Sequence, residues 1–418
     1  MLLHWLPTIA PMSTAHGTDD FLVHDLPAPR HSRRLAVVTE TYPPEVNGVA
    51  MSMARVVDGL HRRNHDVQLI RPRQPARPNP QAGAPAPEID EVLTQGLPVP
   101  LYPKLRMGVP SKRSLLKLWS LKRPDVVHIA TEGPLGWSAL QAAQHLALPL
   151  TSDYRTNFHA YGRHYRLGLL SKPIMGYLRK FHNRCDATMV PTEAVRAQLA
   201  ERGFERLAVV GRGVDAQRFD PVWRSAALRE RWGAGPGDLV MGYVGRLAPE
   251  KNLGVLLAAY EAVKSAQPGV KLVFVGDGPM RAELVARAPE AVFAGQRSGA
   301  DLAAHYASLD LFLFPSLSET FGNVTTEAMA SGCAVVAFDS AAAGELIRTG
   351  VNGWLAGAGR EADFVAAARA AALDAEARRS AAEAARLTSR RLDWGDITAR
   401  FESVLEGAIL RACPRRAG

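Results

Sequence analysis

Short, almost wholly apolar runs recur along this chain, with room for one helix between successive members. Leu35-Ala36-Val37-Val38-Thr39, Val67-Gln68-Leu69-Ile70, Val126-Val127-His128-Ile129, Leu148-Pro149-Leu150-Thr151, Ala187-Thr188-Met189-Val190 and Leu207-Ala208-Val209-Val210 form one series. After residues 213–237 a second series begins with Leu239-Val240-Met241-Gly242-Tyr243-Val244 and continues through Lys271–Val275, Asp310–Pro315 and Ala334–Phe338. A strand with no polar face must be covered on both sides, which is the condition of a parallel sheet between helices. The spacing predicts an α/β protein of two Rossmann-like, doubly wound domains, residues 34–215 and 216–393, facing a cleft. The 418 residues suffice for two such cores, and sheets of this kind receive ligands beyond the carboxyl ends of their strands. Helices are predicted at 49–63, 135–146, 253–266 and 394–411. The last lies within residues 394–418 and is expected to pack back on the first domain. Residues 72–103, rich in proline, read as an irregular excursion, and residues 1–33 as a disordered leader.

One connection between two strands carries chemistry. Ser318-Glu319-Thr320-Phe321-Gly322-Asn323-Val324-Thr325-Thr326-Glu327 leads from Pro315 into a helix that Gly332 closes. Glu319 falls in the strand-to-helix turn, where unpaired N–H groups and the positive helix end favour an anionic ligand. Glu327 follows about two turns along the helix and near the same face. One acid at the turn and one along the helix could hold both ends of a nucleotide sugar; the alternative is a helix cap and a solvated acid.

Two other nucleotide chemistries lack their signatures. Gly276-Asp277-Gly278-Pro279 has no third glycine at dinucleotide spacing, and no Gly-x-x-x-x-Gly-Lys-Ser/Thr loop occurs. Gly245-Arg246-Leu247-Ala248-Pro249-Glu250-Lys251-Asn252 instead places Arg246 and Lys251 between a buried strand and a helix. Two cations there suit a diphosphate leaving group, whose charge grows as the glycosyl bond breaks. The plainer alternative is a surface ion pair with Glu250.

With Gly211-Arg212-Gly213-Val214-Asp215-Ala216-Gln217-Arg218-Phe219, these motifs resemble the retaining glycosyltransferases of family 4, which have the GT-B architecture of two Rossmann-like domains. The resemblance runs from about residue 34 to 411. Glu40-Thr41-Tyr42-Pro43-Pro44-Glu45-Val46-Asn47-Gly48-Val49 and Asp153-Tyr154-Arg155-Thr156-Asn157-Phe158-His159 make it closest to glycolipid α-mannosyltransferases and sulfoquinovosyl-lipid enzymes. It implies hexose transfer, mannose from GDP-mannose or a hexose from a UDP-sugar, to a lipid-linked or glycan acceptor. Arg246 and Lys251 would hold the donor diphosphate, and Glu319 the hydroxyls of the hexose. Phe321, Gly322, Asn323 and Val324 would line that pocket. Glu327 would bind the ribose, Gly48 would admit a close approach of backbone to phosphate or sugar, and His159 would lie near the reaction centre. Ala341-Ala342-Ala343-Gly344-Glu345 departs from the glycine pair usual before that glutamate, which weakens the carry-over of nearby donor contacts. A double-displacement glycosidase needs two carboxyls about 5–5.5 Å apart, a separation that Glu319 and Glu327 do not suit. The family expectation is same-face attack assisted by donor phosphate.

Charge is uneven. Of 50 Lys+Arg and 41 Asp+Glu, residues 1–215 hold 27 and 18, and the remainder 23 of each, so the whole excess of +9 lies in the first half. Residues 104–123 and 154–185 are basic without an acid and interleaved with Leu, Trp, Tyr and Phe. Such stretches suit an anionic membrane plane; Lys112, Arg113, Lys117, Arg155 and Tyr161 are the expected membrane or acceptor contacts. The alternative is an ordinary amphipathic division between core and solvent. No nucleic-acid recognition motif accompanies the charge. His159, His164 and His182 lack a Cys or Asp to complete a ligand set, so no metal or cofactor is expected, and His164 and His182 read as surface or acceptor-side residues. Isolated Cys185, Cys333 and Cys413 fit a reducing compartment. The expected location is the cytoplasm, at the inner face of the cytoplasmic membrane. A nucleotide-sugar-binding or membrane-adaptor protein without turnover is the reading from another class.

Overall fold

The computed structural model describes residues 17–18, 21–22, 32–45, 47–74, 89–99, 102–155 and 171–412. The first series of runs forms β1 (Arg34–Val38), β2 (Asp66–Pro72), β3 (Asp90–Thr94), β6 (Val126–Ile129), β7 (Leu150–Asp153), β8 (Ala187–Val190) and β9 (Leu207–Val209), and β4 (Gly96–Val99) and β5 (Tyr102–Gly108) make a separate hairpin. The seven strands lie parallel in the order β9-β8-β7-β6-β1-β2-β3. Helices α1 (Gly48–Arg62), α2 (Lys112–Leu121), α3 (Pro134–His145), α4 (Ser171–His182) and α5 (Glu193–Glu201) accompany them.

The second series forms β10 (Val240–Val244), β11 (Lys271–Val275), β12 (Val292–Gly295), β13 (Leu311–Phe314), β14 (Ala334–Phe338) and β15 (Trp354–Ala356), parallel in the order β12-β11-β10-β13-β14-β15. Its helices are α6 (Ala226–Arg231), α7 (Leu253–Lys264), α8 (Arg281–Arg287), α9 (Gly299–Ala307), α10 (Asn323–Ala330), α11 (Ala341–Leu346), α12 (Glu361–Leu373) and α13 (Ala375–Ser389). Both sheets wind outward from their first strand and then reverse. The crevices at the two reversals, β1/β6 and β10/β13, are where doubly wound sheets take ligands.

The proline-rich excursion contains more order than its composition suggests. Asp90–Thr94 is a regular parallel edge strand, its residues alternately half-buried and exposed, and Arg71 on β2 pairs with Glu91 at 2.6 Å. Prolines flanking an edge strand leave its ladder intact. Within the expected leader, Gly17–Thr18 and Phe21–Leu22 pair antiparallel, and Arg33 is held by Glu406 at 2.9 and 3.0 Å.

The last helix, α14 (Trp394–Ala412), lies on the first domain. Phe401 and Leu405 are buried in one cluster with Val37, Met53, Val56 and Leu60. Gly59 permits the contact: a Cβ there would stand 2.5 Å from Thr398 Oγ1. Glu402 accepts from Arg63 at 2.6 Å and meets His65 at 2.9 Å. The chain therefore crosses between domains twice, and the crossings touch. Val214 N–H donates to Leu392 O at 2.9 Å, and a Cβ on Gly213 would meet Trp394 at 2.8 Å.

Candidate active site

In the second domain the site grows from the ends of β10 and β13. After β10 the chain turns through Gly245 at φ +150°, a conformation that favours glycine. Gly276 and Gly278 lie against this turn. A Cβ on Gly276 would stand 2.0 Å from Gly245 O, and one on Gly278 2.3 Å from Leu247 O. The Gly-Asp-Gly sequence is thus a packing surface for the Arg246 loop. Pro249–Lys251 make one 3₁₀ turn before α7, and there Arg246 forms an ion pair with Glu250, while Lys251 forms one with Glu319. Glu250 is 2% exposed, and among the described residues its second carboxylate oxygen has no partner. Ser316 Oγ donates to Glu319 at 2.9 Å, and Ser318 Oγ donates to Glu250 O at 3.2 Å, so the two loops are tied together. Arg246, Lys251 and Glu319 are one cluster.

Glu327 stands apart on α10. Tyr306 of α9 donates to it at 2.8 Å. Burial pushes its pKa up to about 6, against the opposing hydrogen bond and the Arg218 guanidinium. Gly322, at φ +88°, precedes the helix. Phe321 is buried, and Asn323 opens the first turn of α10. Val324 packs its side chain on the domain core.

The first domain supplies Gly48 at the start of α1. Asn47 caps this helix, accepting from Val49 N–H at 3.1 Å and Ala50 N–H at 2.9 Å, and is itself held through Thr41 at 2.7 Å. Glu40 accepts from Leu135 N–H at 2.9 Å and Gly108 N–H at 3.2 Å, joining the start of α3 to the end of the hairpin. A Cβ on Gly48 would lie 3.8 Å from both Arg212 Nη1 and Asn323 Nδ2, so the two domains meet here. Thr320 Oγ1 also donates across the cleft to Arg155 O at 2.9 Å, and Glu345 accepts from the Glu193 N–H that begins α5.

Several expectations change. Arg155, expected as a membrane or acceptor contact, has its side chain buried in the cleft and paired with Asp153. Burial alone would raise the Asp153 carboxyl, but Arg155 and His128, at 3.3 Å, outweigh it and hold it at about 2. His182 is wholly buried between Ser152 and Glu132, a core group bonded at 2.9 and 3.2 Å. In the basic stretches Trp119 of α2 and Phe181 of α4 are buried, because each helix needs an apolar face against the sheet; Tyr154 is buried just after β7, and Tyr177 of α4 is exposed. Lys112, Arg113 and Lys117 remain exposed on α2, as do Lys172, Arg179 and Lys180 on α4. His159 and Tyr161 lie outside the described residues. Among the described residues no cluster of His, Cys, Asp and Glu could hold a metal ion, and no helix is long and apolar enough to cross a membrane. Sequence reasoning missed Tyr306, Ser316 and Arg212; the last was visible within the Gly211–Phe219 motif but without a role.

The family model for glycosyltransferase family 4 matches residues 46–218, and that for glycosyl transferases group 1 matches residues 238–374. The chain is 39% identical over 325 residues to the GDP-mannose-dependent alpha-mannosyltransferase of Mycolicibacterium smegmatis, covering 76% of this chain and 84% of that one. This chain is a family 4 glycosyltransferase. The enzyme is also 36% identical over 324 residues to the GDP-mannose-dependent alpha-mannosyltransferase of Corynebacterium glutamicum, with 77% and 76% covered. To the sulfoquinovosyl transferase SQD2 of Arabidopsis thaliana it is 31% identical over 319 residues, with 74% and 62% covered. Among solved structures, Anabaena HepE in complex with UDP and glucose shares the fold at a TM-score of 0.70 and 19% identity, covering 90% of the enzyme and 100% of that chain.

Proposed function

We propose that this glycosyltransferase moves mannose from GDP-mannose, with retention, onto a lipid-linked acceptor at an anionic membrane surface. The observation that carries the reading is the Lys251–Glu319 ion pair, which sets a cation for the diphosphate against an acceptor for sugar hydroxyls. Arg246 joins Lys251 at the departing nucleotide, and Glu327 takes the ribose. Glu319 and Glu327 are tethered to different partners, Lys251 and Tyr306, which fits binding groups better than a nucleophile and its acid. Acceptor attack on the face the nucleotide leaves, with donor phosphate receiving the proton, requires no protein base. The relatives named for GDP-mannose support the donor. Calorimetry with GDP, UDP, GDP-mannose and UDP-glucose tests it: GDP-selective binding and mannose release are expected, and UDP selectivity would overturn the donor.

Protonation of Glu327 removes its charge and part of its acceptor capacity, weakening the bonds it accepts from ribose hydroxyls. Its pKa near 6 in the folded protein stands above the ordinary value of 4.5. Donor affinity is therefore expected to weaken as pH falls through about 6, approaching tenfold per unit, and Glu327→Gln should flatten the profile at lower affinity. The stability linkage has the opposite sense: the raised pKa favours folding below the ordinary value and loses that contribution as pH rises through about 6. A wild-type binding profile flat from pH 5 to 7 would exclude Glu327 from the donor site.

Membrane association, at the cytoplasmic face, rests on the exposed cations of α2 and α4. Each basic residue near an anionic surface contributes about 1 kcal/mol. Replacing Lys112, Arg113 and Lys117 with Ser is expected to release the enzyme from sedimenting phosphatidylserine vesicles, most clearly at low salt; unchanged sedimentation would place attachment elsewhere.

A further inference from the structure

The cations around the cleft are matched by carboxylates, with one exception among the described residues. Lys251 pairs with Glu319, Arg246 with Glu250, Arg155 with Asp153 and Arg55 with Asp215. Arg212 is 7% exposed, and among the described residues its guanidinium donates one long hydrogen bond, 3.4 Å to Ser52 Oγ. It lies over the Phe321 ring, 5.9 Å from the centroid. Burial and the neighbouring Arg155 push its pKa down to about 9, outweighing the charges of Asp153 and Glu319, neither of which is in contact with it. An unmatched buried charge is costly, and removing it ordinarily stabilises a fold.

What surrounds Arg212 explains its retention. Its Nη1 and Asn323 Nδ2 both stand 3.8 Å from the space above Gly48. Gly48 and Asn323 are the first residues of α1 and α10; Asn47 already accepts from Val49 and Ala50 of α1, while the Asn323 and Val324 N–H groups of α10 have no partner within their helix. Asn323 Oδ1 is buried and, among the described residues, unpartnered, so no contact there fixes its amide. A guanidinium, an amide and the start of α10 thus converge beside Gly48, and all present donors to the same small space. That is the environment of an oxyanion.

We propose that Arg212 anchors a phosphate-type oxyanion of the substrate above Gly48, separately from the cations Arg246 and Lys251. The inference rests on the cleft being the donor site. The oxyanion belongs either to the donor diphosphate or to an acidic group of the acceptor; the chemistry recognised is the same.

The test compares full-length wild type with Arg212→Gln and Arg212→Lys. Arg212→Gln is expected to melt at the same temperature as wild type or higher, because an unmatched buried charge is gone, while pyrophosphate stabilisation or substrate binding is lost. A tenfold or greater weakening of GDP binding, with guanosine binding unchanged and partial recovery in Arg212→Lys, assigns the oxyanion to the donor. Unchanged GDP binding with a tenfold rise in acceptor KM at constant kcat assigns it to the acceptor. Normal values for pyrophosphate, GDP and acceptor overturn the proposal. So does a lowered melting temperature with normal binding, since that marks a structural arginine. If Arg212→Gln fails to fold, Arg212→Lys decides alone: wild-type binding of all three ligands would overturn the role of the fork. Wild-type enzyme indifferent to every nucleotide would refute the donor reading, leaving the pyrophosphate comparison to judge Arg212.

Discussion

Lys251→Ala is expected to lower kcat by about a hundred- to a thousandfold, or about 3–4 kcal/mol of transition-state stabilisation. Donor dissociation deposits charge on the diphosphate, and a cation already fixed at that position stabilises it without reorganisation. The fixing is visible: Lys251 is held by Glu319, which Ser316 holds in turn at 2.9 Å, on loops joined through Ser318 and Glu250. The same pair raises a competing account, in which Lys251 acts by orienting Glu319. A double-mutant cycle separates them. If Lys251 acts through Glu319 alone, Lys251→Ala costs no more in a Glu319→Ala background than nothing at all. If it also meets the leaving group, the double variant is slower than either single one. Steady-state turnover with labelled donor reads the cycle, and Lys251→Ala within tenfold of wild type would remove it from the reaction.

The parallel sheets were legible because a strand covered on both faces must be apolar throughout, as in Val240–Val244 and Ala334–Phe338. The Arg246–Lys251–Glu319 cluster was legible for the same reason: strand ends and helix starts are local features, and the sheet reversal brings β10 beside β13. Three kinds of feature were hidden. Asp90–Thr94 is an edge strand whose order of two polar, two apolar and one polar residue lacks the alternation that marks a half-buried strand, and prolines lie nearby. Trp119, Tyr154 and Phe181 show that composition cannot distinguish an aromatic facing the core from one facing a membrane. Arg212 could not be recognised as unmatched, since its isolation depends on which carboxylates the tertiary fold assigns to Arg155, Arg246 and Lys251.

Gly48→Ala is expected to reduce turnover about a hundredfold while leaving the fold as stable as before. The prediction depends on a distinction between space needed by the protein and space needed by its ligand. At Gly59 an added Cβ would strike Thr398 at 2.5 Å, and at Gly276 it would strike backbone at 2.0 Å, so those glycines serve packing. At Gly48 the nearest atoms are 3.8 Å away, an ordinary contact, and the residue is exposed. Alanine at the first position of α1 should therefore be neutral or slightly favourable to the helix, bounded by the ~1 kcal/mol preference over glycine in helix interiors. The methyl group would instead occupy the space toward which Arg212 and Asn323 point. Displacing a bound phosphate or sugar by about 1 Å is enough to cost about a hundredfold in rate. Melting temperature and kcat/KM measured together decide the matter. Stability and turnover falling in parallel would make Gly48 a packing residue, and full activity would place the ligand away from α1. Intact stability with lost turnover would show that this space belongs to the substrate, whichever base and sugar the donor carries.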